Sequence, residues 1–222
     1  LRHALETQSP KVVLMETNLM FRDPGFLGNI RVDMTEFLRY HMPIFRYHNM
    51  WKMLLDGSWA NDDYKGFAIR SGVKACDREK EASYMKETTE TAKIPEAVHT
   101  YMEKIIKLCR DNGAELVLVS APSPKNYNYK KHNAIERYAG EKGLHYIDLN
   151  LKAGQLGIDW TKDSYDRGDH LNLSGARKVT SYLGKYIGEK YGMEDRRNDP
   201  AYQEWDRLAE KYQAEVARRL AK

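Results

Sequence analysis

The strongest constraint on this chain is a pattern that occurs twice: an amphipathic helix stops at a glycine, and a short apolar run follows at once. Val98, Met102, Ile105 and Cys109 recur at spacings of four, three and four, which places them on one helical face. Pro95 suits the first helical position, and Gly113 follows the last turn, where glycine takes a left-handed conformation most easily. Leu116-Val117-Leu118-Val119 then reads as a strand. A second helix, around residues 132–141, ends at Gly143 and precedes Leu144-His145-Tyr146-Ile147. Upstream, Val12-Val13-Leu14-Met15 is a third such run. Continuous apolar runs of this length suit strands buried on both faces of a parallel sheet. Helix, glycine, strand, repeated, is the pattern of βαβ units, so an α/β fold is expected.

The remaining segments attach to that frame. Residues 19–94 form a long excursion between the first two strands. Within it Phe37, His41, Ile44, His48, Trp51 and Leu55 alternate at four and three, predicting a helix over 33–55 with Pro43 as a kink. Residues 71–93 are polar and read as a surface loop. A helix with Ser174 as its N-cap runs through Ala176, Val179, Leu183 and Ile187. After Gly192 and the polar break at 195–200, a charged helix over 202–222 reads as an outer appendage. The expected organisation is one α/β domain over 1–192, with a helical insertion at about 19–94, and a C-terminal helical extension over 193–222.

Composition narrows the class of protein. The 222 residues include 36 Lys and Arg against 32 Asp and Glu, a net charge of +4 spread along the chain rather than gathered in the patch expected of a nucleic-acid binder. No run approaches the ~18 apolar residues that a membrane span needs. The two cysteines, Cys76 and Cys109, lie far apart and outside any C-x-x-C pattern. That argues against a disulfide scaffold and a structural zinc site. The chain opens with Leu1 and shows no signal segment, which reads as a mature product or a piece of a longer chain.

In open α/β sheets, ligands gather at the carboxyl ends of the strands. Those ends are Glu16-Thr17-Asn18, Ser120-Ala121-Pro122 and Asp148-Leu149-Asn150. The most informative stretch is Tyr165-Asp166-Arg167-Gly168-Asp169-His170-Leu171-Asn172-Leu173-Ser174-Gly175-Ala176. A histidine in a tight acidic loop before a helix suits a general base, because a carboxylate on one ring nitrogen leaves the other free to take a proton. The competing reading is a surface loop whose Asn172 or Ser174 caps the helix. Along the 33–55 face, His41 and His48 stand ~10.5 Å apart along the axis, too far to share one metal ion at ~2.1 Å bonds. That stripe reads as packing, with Arg46, His48 and Trp51 as candidate walls of a substrate pocket. No metal site is expected.

The stretch from Asp166 through Ala176, with the helix residues Val179 to Ile187, resembles the last block of SGNH/GDSL-type hydrolases, closest to a cell-envelope-associated bacterial branch. Pro10 to Asn18, Arg46-Tyr47-His48, Tyr64-Lys65-Gly66-Phe67, and Asp195-Arg196-Arg197 with Trp205 are similar to that branch as well. The resemblance implies a flavodoxin-like three-layer α/β/α fold and a Ser-His-Asp esterase without metal or organic cofactor. In such an enzyme serine attacks an ester carbonyl, histidine acts as base and then acid, and an asparagine helps to stabilise the oxyanion. The family's histidine corresponds to His170 and its asparagine to Asn18, although the family's glycine before that asparagine is Glu16 here.

Two further departures stand out. The family's acid lies three residues before the histidine, where this chain has Arg167. Asp166 can curl back onto the ring and is preferred, with Asp169 as the alternative acid. No serine stands in a Gly-Asp-Ser or Gly-x-Ser-x-Gly setting after an apolar strand; Ser58 in Asp56-Gly57-Ser58-Trp59 is the nearest imitation. The expectation is therefore a sheet lacking its first strand, with the serine supplied upstream. The activity expected is that of an esterase or O-acyl, in particular acetyl, transferase on an acylated glycan or similar ester, extracellular or at the cell surface. Nucleic-acid binding and a membrane span are not expected, whereas the open sheet edge favours self-association. The alternative is a non-catalytic binding or assembly module derived from the same fold.

Overall fold

The computed structural model describes residues 1–22, 25–42, 64 and 66–221. Three parallel strands, β1 (Val12–Glu16), β2 (Glu115–Ser120) and β3 (His145–Asp148), form one sheet in the order β1-β2-β3. Val13 is level with Leu116, and Val117 with His145. The described helices are α1 (Arg2–Leu5), α2 (Gly25–His41), α3 (Arg78–Ser83), α4 (Glu96–Asp111), α5 (Tyr129–Lys142), α6 (Leu173–Tyr191) and α7 (Gln203–Leu220). No helix is long and apolar enough to cross a membrane among the described residues.

The two-residue alternation of β2 divides the core. Leu116 and Leu118 join Met102, Ile106 and Cys109 of α4 and Ile135, Tyr138 and Ala139 of α5 on one face. Val117 and Val119 turn to the other face, with Ile147 and Leu149, where Val179, Tyr182, Leu183 and Tyr186 of α6 cover them. Helices therefore lie on both sides of the sheet, giving the α/β/α layers of a flavodoxin-like fold. Both crossovers put their helices, α4 and α5, on the same face, as two crossovers of one hand stepping in one direction require. Leu118 and Ile135 are completely buried, and each such side chain stabilises the fold by roughly 1.5–3 kcal/mol. Among the described residues the outer edge of β1 pairs with no strand.

Several boundaries differ from the sequence reading. Pro95 precedes α4 as its cap instead of opening its first turn. Gly143 ends α5 in the left-handed conformation as expected. The cap of α6 is Asn172, not Ser174, because the Asn172 side chain accepts the Ser174 and Gly175 backbone N–H groups. The helix expected over 33–55 begins earlier, at Gly25, and its described part ends at His41. Phe37 is 61% exposed, and its ring lies tilted against that of His41, with ring centroids 4.5 Å apart. Pro43, Arg46, His48, Trp51 and Ser58 lie outside the described residues. The 71–93 stretch is not wholly surface loop: Asp77 caps α3, and Cys76 is buried. The C-terminal helix α7 docks through Val216 on Ile69 and Leu173, and Arg219 donates to the Ile69 carbonyl at 2.9 Å.

Candidate functional site

The His170 loop is built as a narrow hairpin. Ser164 and Leu171 form an antiparallel bridge, and the Tyr165 N–H donates to the His170 carbonyl at 2.9 Å. The turn between them holds Arg167 at φ +64° and Gly168 at φ +87°. A Cβ on Gly168 would lie 2.6 Å from Cys76 Sγ, so both the conformation and the space demand glycine there. Gly175, in the first turn of α6, approaches Asp163 so closely that a Cβ would meet its carbonyl at 2.8 Å. These two contacts explain the glycines of the motif.

That turn aims Asp166 back at the histidine. The Asp166 carboxylate accepts the His170 backbone N–H at 2.6 Å and meets ring Nδ1 at 2.7 Å. Burial opposes its ionisation, but the bonds from the His170 ring and backbone outweigh it and hold the carboxyl below its usual range. An ionised carboxylate only accepts, so Nδ1 carries a proton, and in the neutral ring it is Nε2 that holds the lone pair. The His170 side chain is 58% exposed, and among the described residues no hydrogen bond reaches Nε2. Asp169 stands farther from Nδ1, at 3.6 Å, and is engaged elsewhere, by Lys125 Nζ at 3.1 Å and by the Asn126 side-chain amide. Of the two carboxylates considered, Asp166 is the one that bonds the ring. Asp166, Asp169 and His170 also cluster closely enough to share an ion, but an ion would compete with every one of these bonds.

Asn18 opens a 3-10 turn, Asn18–Phe21, directly after β1. Its backbone N–H donates to Glu16 Oε2 at 2.9 Å. Burial around that carboxyl raises the Glu16 pKa, against the N–H groups of Asn18, Ala121 and Leu19 and the charge of Lys131. Lys131, on the first turn of α5, donates to Asn18 Oδ1 at 3.2 Å and to the Asn126 carbonyl at 2.5 Å. A continuous polar path therefore runs from Asn18 through Lys131, Asn126 and Asp169 to the His170 loop. The segment after β2 tightens it: Ser123 Oγ donates to the Gly168 and Asp169 carbonyls, and the Lys125 N–H also donates to the Gly168 carbonyl. The structure thus gathers Asn18, Asp166, Asp169 and His170 at one end of the sheet.

Beneath the strand ends lies a polar cluster that sequence reasoning did not assemble. The Asp148 carboxylate accepts from the Asn150 backbone and side-chain amides, from Tyr127 OH and from His132 Nδ1, the last at 2.8 Å. Tyr127 and Tyr146 bond each other at 2.6 Å and Ser120 Oγ, which reaches Thr17 at 2.6 Å. Burial, followed by the charge of Asp148, raises the Tyr127 pKa. For Tyr146 burial again leads, with Tyr127 and Asp148 behind it. The hydrogen bond to Asp148, with that residue's charge, raises the His132 pKa against burial. Ser120 and Asp148 are visible as strand-end polar residues, but nothing local announces His132 as the partner of Asp148. Among the described residues no serine hydroxyl bonds to His170; Ser120, Ser123 and Ser164 are all buried. No family model matches this chain, no curated protein matches its sequence, and no solved structure matches it.

Proposed function

We propose that this chain carries the histidine, acid and oxyanion-binding parts of an SGNH-type esterase or O-acyl transferase that acts on an acylated glycan or a similar ester outside the cell. The observation that carries the reading is the His170–Asp166 pair. Its carboxylate selects the tautomer, its second ring nitrogen makes no hydrogen bond among the described residues, and the adjacent Asp169 is linked through Asn126 and Lys131 to the turn that bears Asn18.

In this mechanism Nε2 of His170 takes the proton of a serine hydroxyl as the oxygen attacks the ester carbonyl. The same nitrogen then returns the proton to the departing alcohol. Asp166 holds the ring and stabilises the imidazolium, while the Asn18 Nδ2–H group donates to the developing oxyanion. The attacking serine comes from a segment outside the described residues. In the hydrolase direction water releases the acyl group from serine; in the transferase direction a glycan hydroxyl does so.

The test is hydrolysis of p-nitrophenyl acetate by the full-length protein, with His170→Ala lowering turnover by about 10³-fold or more. Unchanged turnover in that variant removes the proposal. Hydrolysis by residues 1–222 alone would place the serine within this chain. A second reading, a non-catalytic binding or assembly module, is favoured by the lack of a serine against His170 among the described residues. Labelling of the full-length protein by a fluorophosphonate, dependent on His170, supports the enzyme; absence of labelling supports the module.

A further inference from the structure

The Asn18 side chain can serve an oxyanion only through its amide nitrogen, not its oxygen, and Lys131 bears on which end of that amide is left free. Lys131 Nζ lies 3.2 Å from Asn18 Oδ1. An ammonium has donors and no acceptor, so it can bond the oxygen end of the amide alone. Among the described residues no acceptor engages Asn18 Nδ2. Lys131 is itself held in place on three sides. Its backbone N–H is bound by the Asn128 side chain at the start of α5, its ammonium donates to the Asn126 carbonyl, and its charge lies 4.9 Å from the Phe21 ring centroid.

We propose that Lys131 is a positioning residue that orients the Asn18 amide with Nδ2–H toward the reacting carbonyl. The inference rests on the esterase reading and adds to it a residue that acts through Asn18 without touching the substrate. Arginine, which also only donates, can hold the same amide orientation; methionine fills the space but leaves the amide free to turn.

The experiment has two readouts on the full-length protein. In p-nitrophenyl acetate hydrolysis, Lys131→Met lowers kcat about tenfold with little change in KM, because the lost contact forms only in the transition state. Lys131→Arg restores kcat to within about threefold of the parent, taking that tenfold transition-state loss as the yardstick. Lys131→Met combined with Asn18→Ala is no slower than Asn18→Ala alone, since both remove the same interaction. A double variant slowed by the product of the two single effects overturns the proposal. So does an unchanged kcat in Lys131→Met. The second readout is the ¹⁵N-resolved side-chain amide signal of Asn18, which shifts in Lys131→Met and returns toward its original position in Lys131→Arg. A signal unmoved in Lys131→Met overturns the proposal whatever the activity. A shifted signal in a protein that lacks esterase activity upholds the orientation and removes only the hydrolase reading.

Discussion

His170 and His132 each place Nδ1 against an aspartate oxygen, at 2.7 Å from Asp166 and 2.8 Å from Asp148. Their surroundings differ far more than these distances. The His170 side chain is 58% exposed on a hairpin turn, whereas the His132 side chain is 8% exposed between α5 and β3. Asp148 has further donors in Tyr127 and Asn150, and His132 Nε2 lies 3.7 Å from Glu136. The buried pair is thus closed on itself, and the exposed pair keeps one ring nitrogen for other chemistry. A histidine–aspartate distance alone does not identify a reactive site; the state of the second nitrogen and its access to solvent separate the two.

The two pairs part most clearly when the exposed histidine and the buried acid are removed in turn. On the proposed esterase reading, His170→Ala removes about 10³-fold of turnover while moving the urea-derived stability by no more than about 0.5 kcal/mol. Removing the buried acid reverses the pattern. Asp148→Ala leaves His132, Tyr127 and Asn150 without their common acceptor, and breaking a buried pair in this way costs about 3 kcal/mol. A stability change below about 1 kcal/mol in urea denaturation would show that the cluster is solvated rather than closed.

The next effect concerns the loop that holds His170. Gly168→Ala introduces a side chain at φ +87° and against Cys76 Sγ, for a destabilisation of about 2 kcal/mol. Adding Cys76→Gly should recover only the overlap, not the backbone strain, and denaturation midpoints of the two variants measure the split.

Titration sharpens the contrast further. His132 has a folded pKa raised above its ordinary value. Its contribution is therefore complete below about pH 6.5 and is lost as the pH rises through the folded value. Asp166 has a lowered pKa. Its contribution is present above about pH 3.9 and is lost as the pH falls through the folded value. Urea midpoints across pH should therefore decline on the alkaline side in the parent protein and decline less in His132→Gln. An equal decline in both would assign the effect to another group. The smallest expected change is Asn172→Ala, which removes the α6 cap for about 1 kcal/mol; the loss of helix stability is read in the same denaturation assay.

Much of the frame was legible in the residues because its signals are local. The apolar runs at 12–15, 116–119 and 144–147 anticipate the three strands, and Gly143 marks the end of α5 by a conformation that other residues take at a cost. The helix expected from residue 33 starts earlier, at Gly25, because a shared apolar face does not set where a helix begins; residues 43–55 lie outside the described residues. Ser174 and Asn172 are both residue types that accept backbone N–H groups, and only the turn at 163–172 makes Asn172 the cap.

By itself the sequence determined the α/β plan and pointed to the His170 loop, since helical and strand periodicity and short motifs are written in neighbouring residues; the oxyanion role of Asn18 came only from the family resemblance. Asp166 is preferred over Asp169 from the sequence, and the tertiary structure supplies the reason: the left-handed backbone at Arg167 and Gly168 turns Asp166 inward while Lys125 and Asn126 engage Asp169. The tertiary structure alone brought Lys131 to Asn18, 113 positions apart, and His132 to Asp148, 16 apart. Those meetings arise when a helix packs across parallel strands, and no local propensity encodes them.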